Sequence, residues 1–152
     1  MKILIGIDDS PHSNAALDWV KQMTWPLGTH CVLVCAIPSE VMPYALRVPG
    51  AAFVDPELDD GRVKAQQDLL ARVEHELEAA RLETTVRITH GDPREVLVRT
   101  AETERADLVI VGSHGRTGVP KLLMGSVASH VVTHAPCSVL VIKQPRENAT
   151  RG

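Results

Sequence analysis

Four small residues in the last third of the chain have the types and spacing of a phosphate-binding turn. Gly112 and Gly115 follow the apolar run 108–111, and Gly125–Ser126 comes after nine further residues. The run indicates a buried parallel strand, and a helix is predicted from about Val127. Glycine permits a positive φ and lets an anion approach backbone N–H groups closely. Because a helix N-terminus adds unpaired N–H groups and a positive dipole end, the pattern predicts a phosphate cradle.

The distribution of charge also favours an anionic ligand. Residues 108–146 contain no Asp or Glu, whereas Arg116, Lys121, Lys143 and Arg146 give them a charge of +4. Since the whole chain of 152 residues has a formal net charge of −3, the remainder carries −7. One positive region on an acidic chain indicates a small anion rather than a polyanion. Nucleic acid is therefore not expected as a partner.

Other nucleotide-binding and hydrolytic motifs are missing. A Walker A loop needs glycine before its lysine, but Lys121 follows Pro120, and the Rossmann Gly-x-Gly-x-x-Gly is absent. Ser113 and His114 are adjacent, yet the Gly-x-Ser-x-Gly turn of serine hydrolases is also absent. These absences disfavour a P-loop NTPase, a dinucleotide-binding enzyme and a serine hydrolase.

The seven histidines do not form a metal-binding motif. His130 and His134 are spaced i, i+4, but Val131 stands where the zincin pattern requires Glu. They are predicted to be solvated or core residues, and no metal site is expected. His114 differs because it lies inside the glycine turn, where it could donate to a phosphate oxygen.

The composition indicates one domain with an aliphatic core. Hydrophobic residues make up 44% of the chain, but aromatic residues only 3%. No apolar run approaches the ~20 residues that span a bilayer, and the chain opens on a predicted strand, so neither a membrane segment nor a signal peptide is expected. Cys31 and Cys35 would lie ~13 Å apart on one strand, too far for a disulfide. With Cys137 they are predicted to be buried, reduced thiols, which indicates a cytoplasmic protein.

Five apolar runs alternate with helical patterns, which is typical of parallel βαβ units in an α/β domain. The predicted strands are Lys2–Ile7, Cys31–Ile37, Thr85–His90, Leu108–Val111 and Ser138–Ile142.

Three helices also have recognisable starts or apolar faces. Ser10 with Pro11, and Asp92 with Pro93, are predicted as the caps and first residues of two of them. The helix after Asp92 is expected to run to about Glu104. The predicted apolar faces are Ala16, Trp19, Val20 and Met23 in the first helix, and Val63, Leu70, Val73, Leu77 and Ala80 in the second.

The spacing Gly112-x-x-Gly115, nine residues, Gly125–Ser126 resembles the ATP-binding signature of the universal stress protein family. The segment 2–10, with Ser13, Ala16 and Leu17, is similar to the start of that family, and so is 91–93 before the third long helix. The resemblance covers residues 1–143, which we expect to form one domain. Residues 144–152 are expected to be a disordered tail.

The resemblance implies a fold and the position of a cleft. The family has an open, five-stranded parallel sheet of order 3-2-1-4-5 with helices on both faces, an adenine nucleotide alpha hydrolase-like fold. Strands one and four are then neighbours, so Asp8 and Gly112 would flank one crevice at the carboxyl ends of the strands.

The resemblance also implies the roles of individual residues. Asp8 would accept hydrogen bonds from the ribose or the adenine amino group; alternatively, Asp8, Asp9 or Ser10 only caps the first helix. Gly6 and Ala36 would line the adenine slot, where Ala36 is smaller than the Val often found in relatives. The remaining expected contacts are Val111 beside the base or ribose, Gly112, Gly115, Gly125, Ser126 and Val127 at the phosphates, and His114 and Arg116 in the turn.

The function implied is that of an ATP-binding, dimeric sensor or regulator with an unidentified protein partner. Mg²⁺ could accompany ATP. The last strand, Ser138–Ile142, would pair antiparallel with its copy in a homodimer. Fast turnover is not expected, because the glycine turn offers no carboxylate to hold a metal ion. A slow ATP hydrolase and a scaffold with an empty cleft are the alternatives.

One irregular region, 38–61, contains four prolines and several apolar residues. It could pack over the nucleotide or a dimer partner, or fold passively onto the surface. Its apolar residues are Val41, Met42, Tyr44, Leu46, Phe53 and Val54.

Overall fold

The computed structural model describes residues 1–38, 56–115 and 124–144. In chain order the elements are β1 (Lys2–Gly6), α1 (Pro11–Gln22), β2 (His30–Ile37), α2 (Pro56–Ala79), β3 (Glu83–His90), α3 (Pro93–Glu104), β4 (Leu108–Gly112), α4 (Ser126–His134) and β5 (Ser138–Ile142).

The five strands form one parallel sheet of order β3-β2-β1-β4-β5, which confirms the predicted fold. β1 lies at the centre, and the register pairs Ile5 with Leu33 of β2 and with Ile110 of β4. β4 and β1 are therefore direct neighbours although about a hundred residues separate them in sequence.

Helices cover both faces of the sheet. On one face α1 and α2 pack on Ile3, Ile5 and Leu33; on the other, α3 and α4 pack on Leu4 and Val109. Because both faces are covered, the central strands are continuous apolar runs rather than alternating ones.

The two predicted helix starts are confirmed. The Ser10 hydroxyl accepts a hydrogen bond from the Ser13 N–H at 3.1 Å, and the Asp92 carboxylate accepts one from the Arg94 N–H at 2.9 Å. In each case proline follows the cap, where its fixed φ suits the first helical position and its missing N–H costs no hydrogen bond.

Two residues predicted on the apolar faces of α1 and α2 lie past the ends of these helices. Met23 lies past the end of α1 in an extended conformation and is 41% exposed. Ala80 lies past the end of α2 and is also exposed. Helical periodicity alone placed both on apolar faces, but each helix ends before reaching them. The side chain of Val63 is outside the described part of the chain.

The irregular region is shorter than predicted, because α2 already begins at Pro56. Proline suits the first turn of a helix, so Pro56 begins this helix rather than punctuating a loop. Residues 39–55, with the apolar side chains expected to cover a ligand or partner, lie outside the described residues. So do residues 145–152 of the predicted tail.

The thiols follow the prediction with one exception. Cys31 and Cys35 are buried thiols outside any disulfide, whereas Cys137, just before the edge strand β5, is only half-buried. Burial raises the pKa of Cys31 to about 11. In the described ranges, no helix has both the length and the apolar character needed to cross a membrane.

Candidate functional site

A cleft of about 390 Å³ opens at the carboxyl ends of β1 and β4. It lies there because neighbouring parallel strands end at the same edge of the sheet while their helices leave toward opposite faces. The predicted site residues that line it are Gly6, Asp8, Ala36, Val111, Gly112, His114, Gly115, Gly125, Ser126 and Val127. The remaining one, Arg116, is outside the described residues.

Helix α3 contributes to the cleft, which the sequence analysis did not anticipate. Pro93 and Leu97 line it, and both Cδ atoms of Leu97 lie 3.2 Å from where a Cβ on Gly6 would stand. Pro93 belongs to the family-like segment 91–93, but neither residue was predicted to line the cleft; the packing of α3 over β1 and β2 places them there. Further lining residues that were not predicted are Ile7, Ser13, Val34, Pro38 and Ala128.

Asp8 lies in the cleft, and Ser10, not Asp8, caps α1. Oδ1 of Asp8 accepts a hydrogen bond from the Ser10 N–H at 3.0 Å. Its Oδ2 lies 2.8 Å from the position of a Cβ on Gly115. Asp9 adopts a left-handed conformation at φ 60° and pairs with Arg72 of α2 at 3.5 Å. The Asp8 carboxylate thus lies against the glycine turn and belongs to the wall of the cleft.

In the turn, Gly112, Gly115 and Gly125 leave room for neighbouring atoms, and none of them has a positive φ. This corrects the expectation that the turn needs glycine for a positive φ. Among the described glycines, only Gly28 and Gly91 have positive φ. A Cβ on Gly112 would stand 2.6 Å from the carbonyl carbon of His12, and one on Gly125 would stand 3.2 Å from the Ser113 oxygen. At both positions the obstacle is backbone, which cannot rotate aside as a side chain can.

The N-terminus of α4 faces the same cleft. Its cap, Gly125, makes no side-chain capping hydrogen bond, and helix geometry gives the first N–H groups no intrahelical acceptor. Ser126 at the first helical position is exposed, and Val127 lines the cleft. These groups and the helix dipole favour an anion at this end of the cleft.

A cluster of three polar residues lies beside the cleft. The Ser113 hydroxyl is 3.2 Å from Nδ1 of His12 and 3.2 Å from Nδ1 of His114, and the two imidazole centroids are 5.1 Å apart. Ser113 is 1% exposed, so its hydroxyl is not accessible as a nucleophile. The sequence analysis missed His12; the only available signal was the predicted β1–β4 pairing, which brings the start of α1 beside residue 113.

The other histidine pair, His130 and His134, does not line the cleft. The rings of His130 and His134 stack with centroids 4.1 Å apart, and His130 lies 3.3 Å from a carboxylate oxygen of Glu95 on α3. Within the described part of the chain, no three His, Cys, Asp or Glu side chains are grouped closely enough to bind a metal ion.

Comparison with known proteins gives a consistent picture. The model of the universal stress protein family matches residues 1–143. Two curated relatives from Methanocaldococcus jannaschii are the universal stress proteins MJ0531, 36% identical over 81 residues, and MJ0577, 33% identical over 88 residues. These alignments cover 53% and 58% of this chain, and 48% and 54% of the relatives. The chain thus aligns with about half the length of these curated relatives.

Solved structures share the fold. The structure of MJ0577 superposes with a TM-score of 0.84 at 28% identity and covers 95% of this chain and 96% of its own. A universal stress protein in complex with cAMP gives 0.65 at 22% identity, covering 95% and 98% of the two chains. An Arabidopsis thaliana family member with AMP bound also gives 0.65, at 18% identity, covering 97% and 94%.

The family model spans all the described elements, from the first strand to the last. With this match and the glycine-lined cleft between β1 and β4, the chain belongs to the universal stress protein family.

Proposed function

We propose that this protein binds ATP in the cleft between β1 and β4 and acts as a homodimeric, nucleotide-dependent sensor or regulator in the cytoplasm. The observation that carries the proposal is the meeting of Asp8, the glycine turn and the N-terminus of α4 around one cleft. Its volume falls in the range of about 300–1,000 Å³ typical of small-molecule sites.

The two ends of the cleft suit the two ends of an adenine nucleotide. Gly6, Ala36 and Val111 give the cleft an apolar lining, which would suit an adenine base. The N–H groups at the start of α4 and the small residues of the turn suit phosphate. The solved relatives with AMP and cAMP indicate that the family fold accommodates adenine nucleotides.

A triphosphate is favoured over a monophosphate by charge. In the sequence, Arg116 and Lys121 lie between Gly112 and Gly125, and residues 108–146 include no Asp or Glu. Each of these cations would attract the additional negative charge of a triphosphate, so ATP should bind more tightly than AMP. Mg²⁺ would enter with ATP, held by its phosphates and water.

The cleft supports ATP binding without fast ATP hydrolysis better than it supports an efficient enzyme. Phosphoryl transfer needs a held metal, a group that orients the nucleophile and a cation at the transition state. Among the described lining residues the only carboxylate is Asp8, and its Oδ1 already accepts the Ser10 N–H. A slow hydrolase is the second candidate, because His114 could orient a water molecule.

Two measurements test the proposal. Mass spectrometry of small molecules released from the denatured, freshly purified protein should detect ATP, and calorimetry should give tighter binding of ATP than of AMP or adenosine. No binding of any adenine nucleotide would refute it. Single-turnover assays at saturating protein decide between sensor and hydrolase. A rate near ~1 s⁻¹ or above, lost in His114→Ala, would favour the hydrolase.

A further inference from the structure

We propose that Asp9 is a positioning residue: its left-handed backbone conformation turns the chain so that the carboxylate of Asp8 stays in the wall of the cleft. The effect on ligand affinity rests on the proposed ATP binding, whereas the conformation of the turn does not. The starting observation is the φ of Asp9, which is 60° at the exit of β1. Asp9 is not one of the described residues that line the cleft, so any influence on the ligand must pass through its neighbours.

Two residues, Asp8 and Asp9, connect the sheet to the cap of α1. The backbone N–H of Ile7 still donates to the carbonyl oxygen of Val34 on β2 at 2.9 Å, so the chain follows the sheet as far as Ile7. Ser10 is already the N-cap of α1. The change of direction from strand to helix is therefore completed within residues 8 and 9, and the one with a positive φ is Asp9.

The turn holds Asp8 by its backbone and by its carboxylate. The Asp8 N–H donates to the hydroxyl oxygen of Ser13 at 3.5 Å, and Oδ1 of Asp8 accepts the Ser10 N–H at 3.0 Å. The second of these hydrogen bonds spans Asp9, because an aspartate side chain reaches the N–H two residues later only where the chain folds back on itself. Ser10 and Ser13 are both buried, so the position of Asp8 depends on the backbone at Asp9.

The same turn also meets the glycine turn on the other side of the cleft. Oδ2 of Asp8 lies 2.8 Å from where a Cβ on Gly115 would stand, and the Ser10 hydroxyl lies 3.5 Å from the carbonyl oxygen of His114. A different backbone conformation at Asp9 would displace both Asp8 and Ser10, the residues on either side of it. Asp9 therefore sets how the exit of β1 approaches the turn after β4.

The backbone conformation of Asp9, rather than its charge, carries this role. Oδ1 of Asp9 lies 3.5 Å from a guanidinium nitrogen of Arg72 on α2, but both side chains are exposed, and exposed ion pairs contribute little to stability. A positive φ is open to Gly and is tolerated by Asn and Asp, whereas a β-branched residue is a clear outlier there. Aspartate suits this position because its backbone can adopt the left-handed conformation.

The first test needs no nucleotide. In Asp9→Val the branched side chain disfavours a positive φ, so the Ser10 N–H should lose its hydrogen bond to Asp8. Its hydrogen should then exchange with solvent deuterium about tenfold faster than in the parent, as measured by NMR on the intact protein. Asp9→Asn, which tolerates a positive φ, should exchange as the parent does. Equal exchange in the parent and in Asp9→Val would overturn the proposal.

The matched control places valine at a second left-handed residue. Arg81, just past the end of α2, has a φ of 63° and is exposed. Arg81→Val should lower the free energy of unfolding much as Asp9→Val does, but leave ATP binding and the exchange of the Ser10 N–H unchanged. Weakening of ATP binding in both variants would reduce the effect to general stability and overturn the proposal. If Asp9→Val does not fold, Asp9→Ala and Arg81→Ala replace the pair.

Calorimetry measures the effect on the site. Asp9→Val should weaken ATP binding about tenfold, the size expected for a lost hydrogen bond to a charged group. AMP binding should fall by the same factor, because Asp8 is proposed to contact the nucleoside. Asp9→Asn and Arg72→Ala both remove the ion pair and should bind ATP as the parent does. A loss in either variant as large as that in Asp9→Val would assign the effect to the ion pair and overturn the proposal.

A double-mutant cycle shows whether Asp9 acts through Asp8. Asp8→Ala should itself weaken ATP binding, and Asp9→Val should cause little further loss in that background, since the carboxylate it positions is gone. An equal loss with and without Asp8 would overturn the positioning role. Equal ATP affinity of the parent and Asp9→Val overturns this inference alone. Failure of the parent to bind any adenine nucleotide overturns the proposed function, and the hydrogen-exchange comparison then decides the role of Asp9 in the turn.

Discussion

The backbone N–H of Gly125 donates a 2.7 Å hydrogen bond to the carbonyl oxygen of Ser113, which joins the start of α4 to the end of β4. The chain leaves the sheet at Ser113 and returns to the same point at Gly125. A Cβ on Gly125 would stand 3.2 Å from both the Ser113 oxygen and the His114 Cα. The end of the cleft where we propose that phosphates bind is thus set by backbone packed on backbone, and bulk at the glycines should matter more than loss of side chains.

Gly115→Ala should weaken ATP binding at least tenfold, about 1.4 kcal/mol. The new Cβ would lie 2.8 Å from Oδ2 of Asp8, so the carboxylate or the turn must move, and both line the cleft. Calorimetry with the folded variant measures the effect. The matched control is Gly61→Ala, since Gly61 lies on α2 with nothing within 4 Å of the new Cβ. Binding by Gly115→Ala equal to that of the control would locate the phosphate site elsewhere.

Gly112→Ala should lower the free energy of unfolding by about 1–3 kcal/mol, the usual cost of overpacking. The methyl group would meet the backbone of His12 at 2.6 Å, so α1 has to shift away from β4. Urea denaturation measures the change. Gly61→Ala should instead stabilise the protein by about 0.5–1 kcal/mol, because alanine is favoured in a helix interior. A Gly112→Ala variant as stable as the parent would contradict the close approach of α1.

Val141→Asp should convert a homodimer to monomer. Among the described strands β5 pairs only with β4, and its side chains from Val139 to Ile142 are half-buried, so its outer edge and apolar residues can pair with a second copy. Sedimentation velocity at micromolar concentration tests this. Thr89→Asp on β3, the opposite edge of the sheet, is the control and should stay dimeric. A monomeric parent, or a dimeric Val141→Asp, would contradict the β5 interface.

Acid should remove a stabilising contribution at the start of α3. Hydrogen bonds from the side chain and backbone of Arg94 lower the pKa of Asp92 to about 2. Because the folded-state pKa lies below the unfolded value of about 3.9, this contribution is complete above about pH 4 and is lost as pH falls through about 2.

The check compares the parent with Asp92→Asn, which keeps a capping side chain but cannot titrate. The advantage of the parent in urea unfolding should be larger at about pH 5 than at about pH 2. An advantage that is equal at both pH values would show that the carboxylate of Asp92 does not interact with Arg94 in solution.

Much of the fold could be predicted from the sequence because its signals are local. Apolar runs flanked by helical patterns predicted five parallel strands, and Ser10–Pro11 and Asp92–Pro93 predicted two helix starts, all confirmed. The C-terminal ends of the helices were predicted less accurately. Met23 and Ala80 fit the helical period but lie past the ends of α1 and α2, since periodicity does not mark where a helix stops.

The sequence alone determined which residue types could bind phosphate, through the spacing of Gly112, Gly115 and Gly125. The tertiary structure decided why these residues must be small: backbone of α1 approaches Gly112, backbone of the turn approaches Gly125, the Asp8 carboxylate approaches Gly115, and positive φ plays no part. It also decided that His12 meets Ser113 and that α3 closes the cleft over Gly6. No local pattern encodes such contacts, because they arise only when strands distant in sequence become neighbours in the sheet.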